Sequence, residues 1–198
     1  MSRPSSSNTL RIVGGRWRSR RLRFIDADGL RPTPDRVRET LFNWLQFEIP
    51  GAHCLDAFAG SGALGFEALS RGAATAVMIE RERLQHQALL AAAAELGADG
   101  ARILLGYADS LLAKAGDWRP VAGFDVVFLD PPYNKGLVQK TVQQLLELGL
   151  LRTEALLYIE SELDWEALSL PVSIQQLKST RAGSVNAFLA RYRPEVAE

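Results

Sequence analysis

Apolar and polar positions along this chain change period several times, and the changes mark out its elements. From residue 52 onward, short unbroken apolar runs alternate with stretches in which apolar residues recur every three to four positions. The runs are about 53–58, Thr75 to Ile79 with Glu80 at the end, about Ala101 to Leu105, Phe124 to Leu129, and Ala155 to Ile159. Runs of this kind read as strands buried on both faces of a parallel sheet. Between them the helical period predicts a helix ending near Arg71, one with apolar positions Leu84, Ala88, Ala92 and Leu96, and one through Leu137, Val138, Thr141, Val142, Leu145 and Leu146. Strands alternating with helices predict a doubly wound α/β domain. The last stretch switches to period two, over Val172 to Leu177 and Val185 to Tyr192 about Arg181-Ala182-Gly183-Ser184. It predicts an antiparallel hairpin closing a mostly parallel, seven-stranded sheet.

Upstream the pattern differs. Residues 1–9, with Ser2, Ser5, Ser6, Ser7 and Asn8, offer nothing to bury and are expected to be a disordered tail. Leu10 to Val13 and Leu22 to Ile25 alternate in short apolar runs around Gly14 and Gly15. They predict a β-hairpin, an arm over residues 10–34 weakly attached by its own core. Residues 35–198 form the main domain. Its first helix is introduced by Thr33 as N-cap, Pro34 at the first helical position and Asp35 complementing the dipole. Val37, Leu41, Trp44 and Leu45 then line one face.

The 198 residues, 47% hydrophobic, suffice for one well-cored domain. No apolar run reaches the roughly 18 residues that span a membrane, and the first residues lack the apolar core of a secretory signal. A soluble, cytoplasmic protein without a membrane partner is expected. Cys54, the single cysteine, cannot form an internal disulfide and reads as a core residue; His53 and His86 make no metal-ligand spacing with it, so no metal is expected.

The net charge of zero hides an asymmetry. Residues 1–40 hold ten arginines against Asp26, Asp28, Asp35 and Glu39, a balance of +6, which leaves −6 for the rest. Arg11, Arg16, Arg18, Arg20, Arg21 and Arg23 fall within thirteen residues, interleaved with Trp17. This is the footprint of a phosphate-binding surface with a stacking ring, and Arg36 and Arg38 extend it. The alternatives are a solvated basic face and an Arg/Ser-rich transit segment, the latter disfavoured by the strand and turn signals.

Candidate chemistry lies at the ends of the predicted strands, where open α/β sheets bind ligands. Asp130-Pro131-Pro132-Tyr133 follows the run ending at Leu129. Its prolines fix φ and remove two backbone donors, so the corner offers a carboxylate and carbonyl oxygens to a group with hydrogens to give. Gly60-x-Gly62-x-x-Gly65 lies between a strand and a helix and matches the dinucleotide fingerprint, with Glu80 placed for a ribose. An NAD-dependent oxidoreductase is therefore one reading. Against it stands Asp56, four residues before the first glycine, whose charge repels a pyrophosphate but suits a cation such as S-adenosylmethionine. Asp56, Glu80, Asp109 and Asp130 follow four successive strands; strand ends about 4.8 Å apart spread such acids along an extended cofactor rather than around one ion. A serine nucleophile at Ser61 fails because Ala59 and Ala63 stand where the elbow needs glycine.

The run Leu55 to Gly65, the acid Glu80, Asp109 and the Asp130 tetrapeptide together resemble the class I S-adenosylmethionine-dependent methyltransferases that modify exocyclic amines. Arg11-Ile12-Val13-Gly14-Gly15 and the stretch Arg31 to Leu45 narrow the resemblance to the bacterial RsmD-type guanine-N2 methyltransferases of 16S ribosomal RNA. The tetrapeptide alone is shared with adenine-N6 and cytosine-N4 enzymes, so adenine-N6 transfer is an alternative, as is a non-catalytic RNA-binding module. The resemblance implies a Rossmann-like class I methyltransferase fold and catalysis at Asp130, Pro131, Pro132 and Tyr133, with Tyr133 stacking on the base. It implies S-adenosylmethionine held by Asp56, Phe58, Ala59, Gly60, Ser61, Gly62, Glu80 and Asp109. It further implies 16S ribosomal RNA as partner, in an assembled small subunit or its precursor, met by a monomer.

Overall fold

The structure is a computed structural model that describes residues 8–25, 35–114, 116–132 and 136–194. Its centre is a seven-stranded sheet built from β3 (His53–Asp56), β4 (Thr75–Glu80), β5 (Ala101–Leu105), β6 (Phe124–Leu129), β7 (Leu151–Ser161), β8 (Ile174–Ala182) and β9 (Val185–Tyr192). Their order is β5-β4-β3-β6-β7-β9-β8. The first five are parallel, and β9 enters antiparallel between β7 and β8. The chain starts at β3, winds outward to β5, then returns to β6 on the other side of β3. That reversal opens a crevice at the carboxyl ends of β3 and β6, where doubly wound folds place their ligands.

Helices α1 (Asp35–Trp44), α2 (Ala63–Ser70), α3 (Arg83–Leu96), α4 (Ala108–Leu112) and α5 (Leu137–Glu147) complete the domain. All eight residues of α2 are buried, because this helix is covered by the sheet on one side and by the N-terminal segment on the other. Two apolar clusters divide the core between the faces of the sheet: Phe42, Phe66, Phe128 and Tyr158 belong to one, Leu55, Val127, Leu145 and Ile159 to the other. Each parallel strand feeds both clusters, which is why its sequence is apolar at successive positions.

Several expectations shift. The first core strand does end at Asp56, where the chain turns into the glycine loop. In α3 the buried positions are Gln85, Leu89 and Ala92, while Leu84 is exposed. β7 is twice the expected length, and the turn α4 was unexpected.

The largest correction concerns the arm. β1 (Asn8–Arg11) and β2 (Arg21–Phe24) do form a hairpin, and β1 starts inside the segment expected to be a tail. However, Leu10, Ile12, Trp17, Leu22 and Phe24 are buried in the same cluster as Phe42 and Phe66. The hairpin is therefore a wall of the domain rather than an appendage. Alternation hid this, since one apolar face on a two-stranded ribbon must find a partner, and the partner lies some 50 residues away in α2. The expected cap at Thr33 and Pro34, together with residues 1–7, lies outside the described residues.

Candidate active site

The carboxyl edge of the sheet collects the acids. In order across it stand Glu80 at the end of β4, Asp56 at the end of β3, Asp130 just past β6, and Glu160 near the end of β7. Asp56 is level with Met78 and Phe128 on its two neighbours, so it and Asp130 flank the crevice.

The loop after β3 is shaped by glycine. Gly62 has φ 75°, and a Cβ there would approach Leu89 and Phe66 at 2.6–2.7 Å, so neither the conformation nor the space admits a side chain. A Cβ on Gly65 would meet the Met78 sulfur at 2.5 Å, so glycine allows α2 to lie close on β4. Asp56 is 2% exposed, and its Oδ2 accepts a hydrogen bond from Gly65 N at 3.1 Å. Burial raises the Asp56 carboxyl to about 7, against the backbone N–H groups of Gly65 and Phe58, which lower it, and with Glu80 adding to the rise. Glu80, also buried, accepts from Glu82 N at 2.7 Å; burial raises its carboxyl too, with the N–H groups of Glu82, Gly60 and Arg81 opposing. Ala59 and Ser61 are buried, Phe58 and Gly60 half-buried. Thus two acids that burial makes reluctant to ionise lie beside a tight backbone loop at a helix N-terminus.

Gln85 joins the site although its local sequence pattern does not mark it. It is buried, donates through Nε2 to Gly60 O at 2.7 Å, and accepts at Oε1 from Ile25 N at 2.9 Å. One side chain thereby ties the end of the hairpin to the glycine loop. Its only sequence signal is a polar residue on the buried stripe of a helix.

Asp109 stands apart from the other acids. It lies in the first turn of α4, nearly half exposed, accepting from Lys140 Nζ at 3.1 Å and from Ser110 N at 2.7 Å. These contacts hold its carboxyl below the usual range, the Lys140 bond contributing most. A carboxylate has about four acceptor sites, so capacity remains for a further donor. Asp130 is half-buried, Pro131 buried and Pro132 exposed; Tyr133 lies outside the described residues. Glu160, also missed, is 6% exposed and accepts from the Tyr158 hydroxyl at 2.8 Å. Its signal was the same as that of Asp130, an acid closing an apolar run.

The arginines separate into two groups. Arg38 is fully buried and paired with Asp35 and Glu67, so its expected RNA role is corrected to a structural one. Glu67, buried on α2, also accepts from Arg71 Nε at 2.7 Å and Val13 N at 2.8 Å. Trp17 is likewise corrected: its ring is 7% exposed and covered by the Arg16 guanidinium at 4.1 Å, so it packs in the core instead of presenting a face to a base. The remaining arginines of the hairpin are exposed. Arg21 and Arg23 alternate with buried Leu22 and Phe24, and Arg11 lies opposite Arg21. Arg11 pairs with Asp35, and Arg20 approaches Glu95 at 3.5 Å. Arg18 and Arg36 are exposed as well.

The turn of the hairpin docks on the far end of α2, where Arg16 N donates to Ser70 O at 2.7 Å and Trp17 N to Ser70 Oγ at 2.9 Å. Its other end meets Gln85 beside the glycine loop. The basic face therefore runs the whole length of α2, about 12 Å at 1.5 Å per residue. A cavity of about 510 Å³ lined by Phe47, Asp125, Arg152 and Glu154 opens at the opposite, amino-terminal edge of the sheet, away from all these acids.

The chain is similar to known proteins. The profile of the family described as Conserved hypothetical protein 95 matches residues 10–191. The Escherichia coli (strain K12) ribosomal RNA small subunit methyltransferase D is 47% identical over 181 residues, covering 91% of this chain and 89% of the relative. Its Haemophilus influenzae namesake is 40% identical over 92% of this chain and 94% of the relative. A solved Escherichia coli structure, yhhF, named provisionally as a methyltransferase, superimposes with a TM-score of 0.83 at 44% identity. It covers 95% of this chain and 100% of that one.

Proposed function

The chain belongs to the family described as Conserved hypothetical protein 95, with the ribosomal RNA small subunit methyltransferases D as relatives, and on that premise we propose that it transfers a methyl group from S-adenosylmethionine to the exocyclic N2 of a guanine in 16S ribosomal RNA. The observation that carries this reading is the pairing, across the crevice, of an acid-lined glycine loop with the Asp130-Pro131-Pro132 corner.

The residues fit the cofactor. Gly62, with its positive φ and with Leu89 and Phe66 packed behind it, lets the loop turn tightly into α2, and the acids beside that loop favour a cation over a pyrophosphate. When bound, S-adenosylmethionine supplies an electrophilic methyl on a positively charged sulfur. Asp56 serves its ammonium end, Glu80 the ribose hydroxyls and Asp109 the adenine amine, while Phe58, Ala59, Gly60, Ser61 and Gly62 line the loop.

Toward the base, the residues act as acceptors. An exocyclic amine is a poor nucleophile because its lone pair is conjugated into the ring. The Asp130 carboxylate and the Pro131 carbonyl each accept one of its hydrogens, which favours a more tetrahedral nitrogen and turns the lone pair toward the methyl. As positive charge develops on that nitrogen, the same acceptors stabilise it, and the amine's surplus proton leaves to the Asp130 carboxylate or to water. Tyr133 stacks on a base swung out of its helix. The long basic face of the hairpin, with Arg16, Arg18, Arg21 and Arg23, together with Arg36 on α1, suits a bulky RNA such as an assembled small subunit or its precursor in the cytoplasm. One copy of the chain carries all these parts, so a monomer suffices.

Asp130→Ala tests the assignment. Methylation should fall by at least about 10²-fold while cofactor and RNA affinities stay within a few-fold of wild type; retained turnover would overturn the role of Asp130.

A further inference from the structure

Beside Asp130, on the next strand, stands a carboxylate that the mechanism above leaves unused. β6 and β7 pair in parallel, with Phe128 opposite Tyr158 and Leu129 opposite Ile159. The next residue on each side is Asp130, just past the end of β6, and Glu160, still on β7, at the carboxyl edge of neighbouring strands, which lie about 4.8 Å apart. Successive strand residues point to opposite faces, and Tyr158 and Glu160 share one, as the hydrogen bond from the Tyr158 hydroxyl to Glu160 Oε1 at 2.8 Å requires. Tyr158 is fully buried among Phe42 and Phe128, so its ring is fixed and the hydroxyl orients the carboxylate. Glu160 is 6% exposed, so its carboxylate is largely shielded from water.

We propose that Glu160, oriented by Tyr158, selects guanine by accepting the ring N1–H of the base while Asp130 and the Pro131 carbonyl accept from its amine. This rests on the methyl-transfer reading of the same site and extends it to the choice of base. The three bases with an exocyclic amine differ at the neighbouring ring nitrogen. Guanine carries N1–H next to N2, a donor beside the amine. Adenine has a lone pair at N1 next to N6, and cytosine a lone pair at N3 next to N4. An ionised carboxylate only accepts, so it completes a third hydrogen bond with guanine and faces lone pair against lone pair with the other two. A buried polar group left unpaired is the stronger source of discrimination. The tetrapeptide supplies chemistry common to all three amines; the strand beside it supplies the distinction.

The experiment compares small subunits reconstituted with guanine or with 2-aminopurine at the modified position. The analogue keeps the 2-amino group but has a lone pair at N1. Wild type should methylate guanine at least about 100-fold more efficiently than the analogue. In Glu160→Gln the carboxamide can turn its NH2 toward N1 of the analogue. Activity on guanine should then fall about 10- to 100-fold, and the preference for guanine should shrink at least tenfold. Tyr158→Phe, which removes only the orienting hydroxyl, should shift the preference the same way by a smaller factor, and it carries the test should Glu160→Gln fail to fold. The fluorescence of 2-aminopurine reads insertion of the base independently of turnover and should report tighter insertion in Glu160→Gln. An unchanged preference in both variants overturns the inference while leaving methyl transfer to guanine intact. A wild type that never methylates guanine overturns the underlying reading instead.

Discussion

Cofactor affinity should depend steeply on pH through Asp56. Its carboxyl is raised to about 7 chiefly by burial, so in the free protein it is half protonated at neutral pH. A cationic ligand engages the ionised form. Affinity is therefore full above about 7 and is lost as pH falls through that value. If the bound carboxyl returns to its ordinary value near 4, the dissociation constant rises about 70-fold between pH 7.5 and 5, and binding at pH 7 releases about half a proton. Glu80, raised in the same direction, adds to the steepness at the acid end. Without ligand the sign is opposite: the raised carboxyl contributes stability that is complete below about 4 and is lost as pH rises through about 7. Isothermal titration of S-adenosylmethionine in two buffers of different ionisation enthalpy measures both the constant and the proton count. Asp56→Asn should bind more weakly at pH 7.5 and lose about one proton's worth of slope. A dissociation constant that is flat from pH 7.5 to 5 in wild type, or a slope unchanged in the variant, would show that Asp56 does not hold the cation.

Other expectations follow from single side chains. Trp17→Ala should lower unfolding free energy by about 3 to 5 kcal/mol in denaturant titrations, the range for emptying a buried aromatic site; a loss of RNA binding at unchanged stability would restore the ring to the RNA. Replacing Arg18, Arg21 and Arg23 together should flatten the salt dependence of RNA binding, each lost phosphate contact removing about 0.7 to 0.9 from the log-log slope. An unaltered slope would place the RNA on another face. Gln85→Ala removes two hydrogen bonds made from one buried side chain. It should weaken cofactor binding about five- to tenfold, measured by titration, and unchanged affinity would show that Gly60 holds its place unaided.

The parallel strands were legible because burial on both faces leaves unbroken apolar runs, and their ends placed Asp56, Glu80 and Asp130 where the structure has them. What local pattern conceals is partnership across long separations. Trp17 among arginines has the composition of a stacking surface, yet Ser70, more than 50 residues away, takes its backbone N–H, and its ring joins the core. Arg38 resembles its neighbour Arg36 until Glu67 on α2 is placed beside it. The arginine count predicted a basic face; which arginines form it depends on those tertiary pairs. Asp109 follows a strand as the other acids do, but it sits in the first turn of a short helix and pairs with Lys140. Glu160 shows the reverse, an acid whose meaning comes only from the strand beside it.

The methyl group is expected on one atom of one base. Small subunits lacking the modification, incubated with the protein and S-adenosylmethionine carrying a labelled methyl group, should gain label in 16S ribosomal RNA as N2-methylguanine at a single nucleotide, and Asp130→Ala should leave them unlabelled. Label on an adenine or cytosine amine, or none at all with a folded protein that binds the methyl donor, would contradict the account.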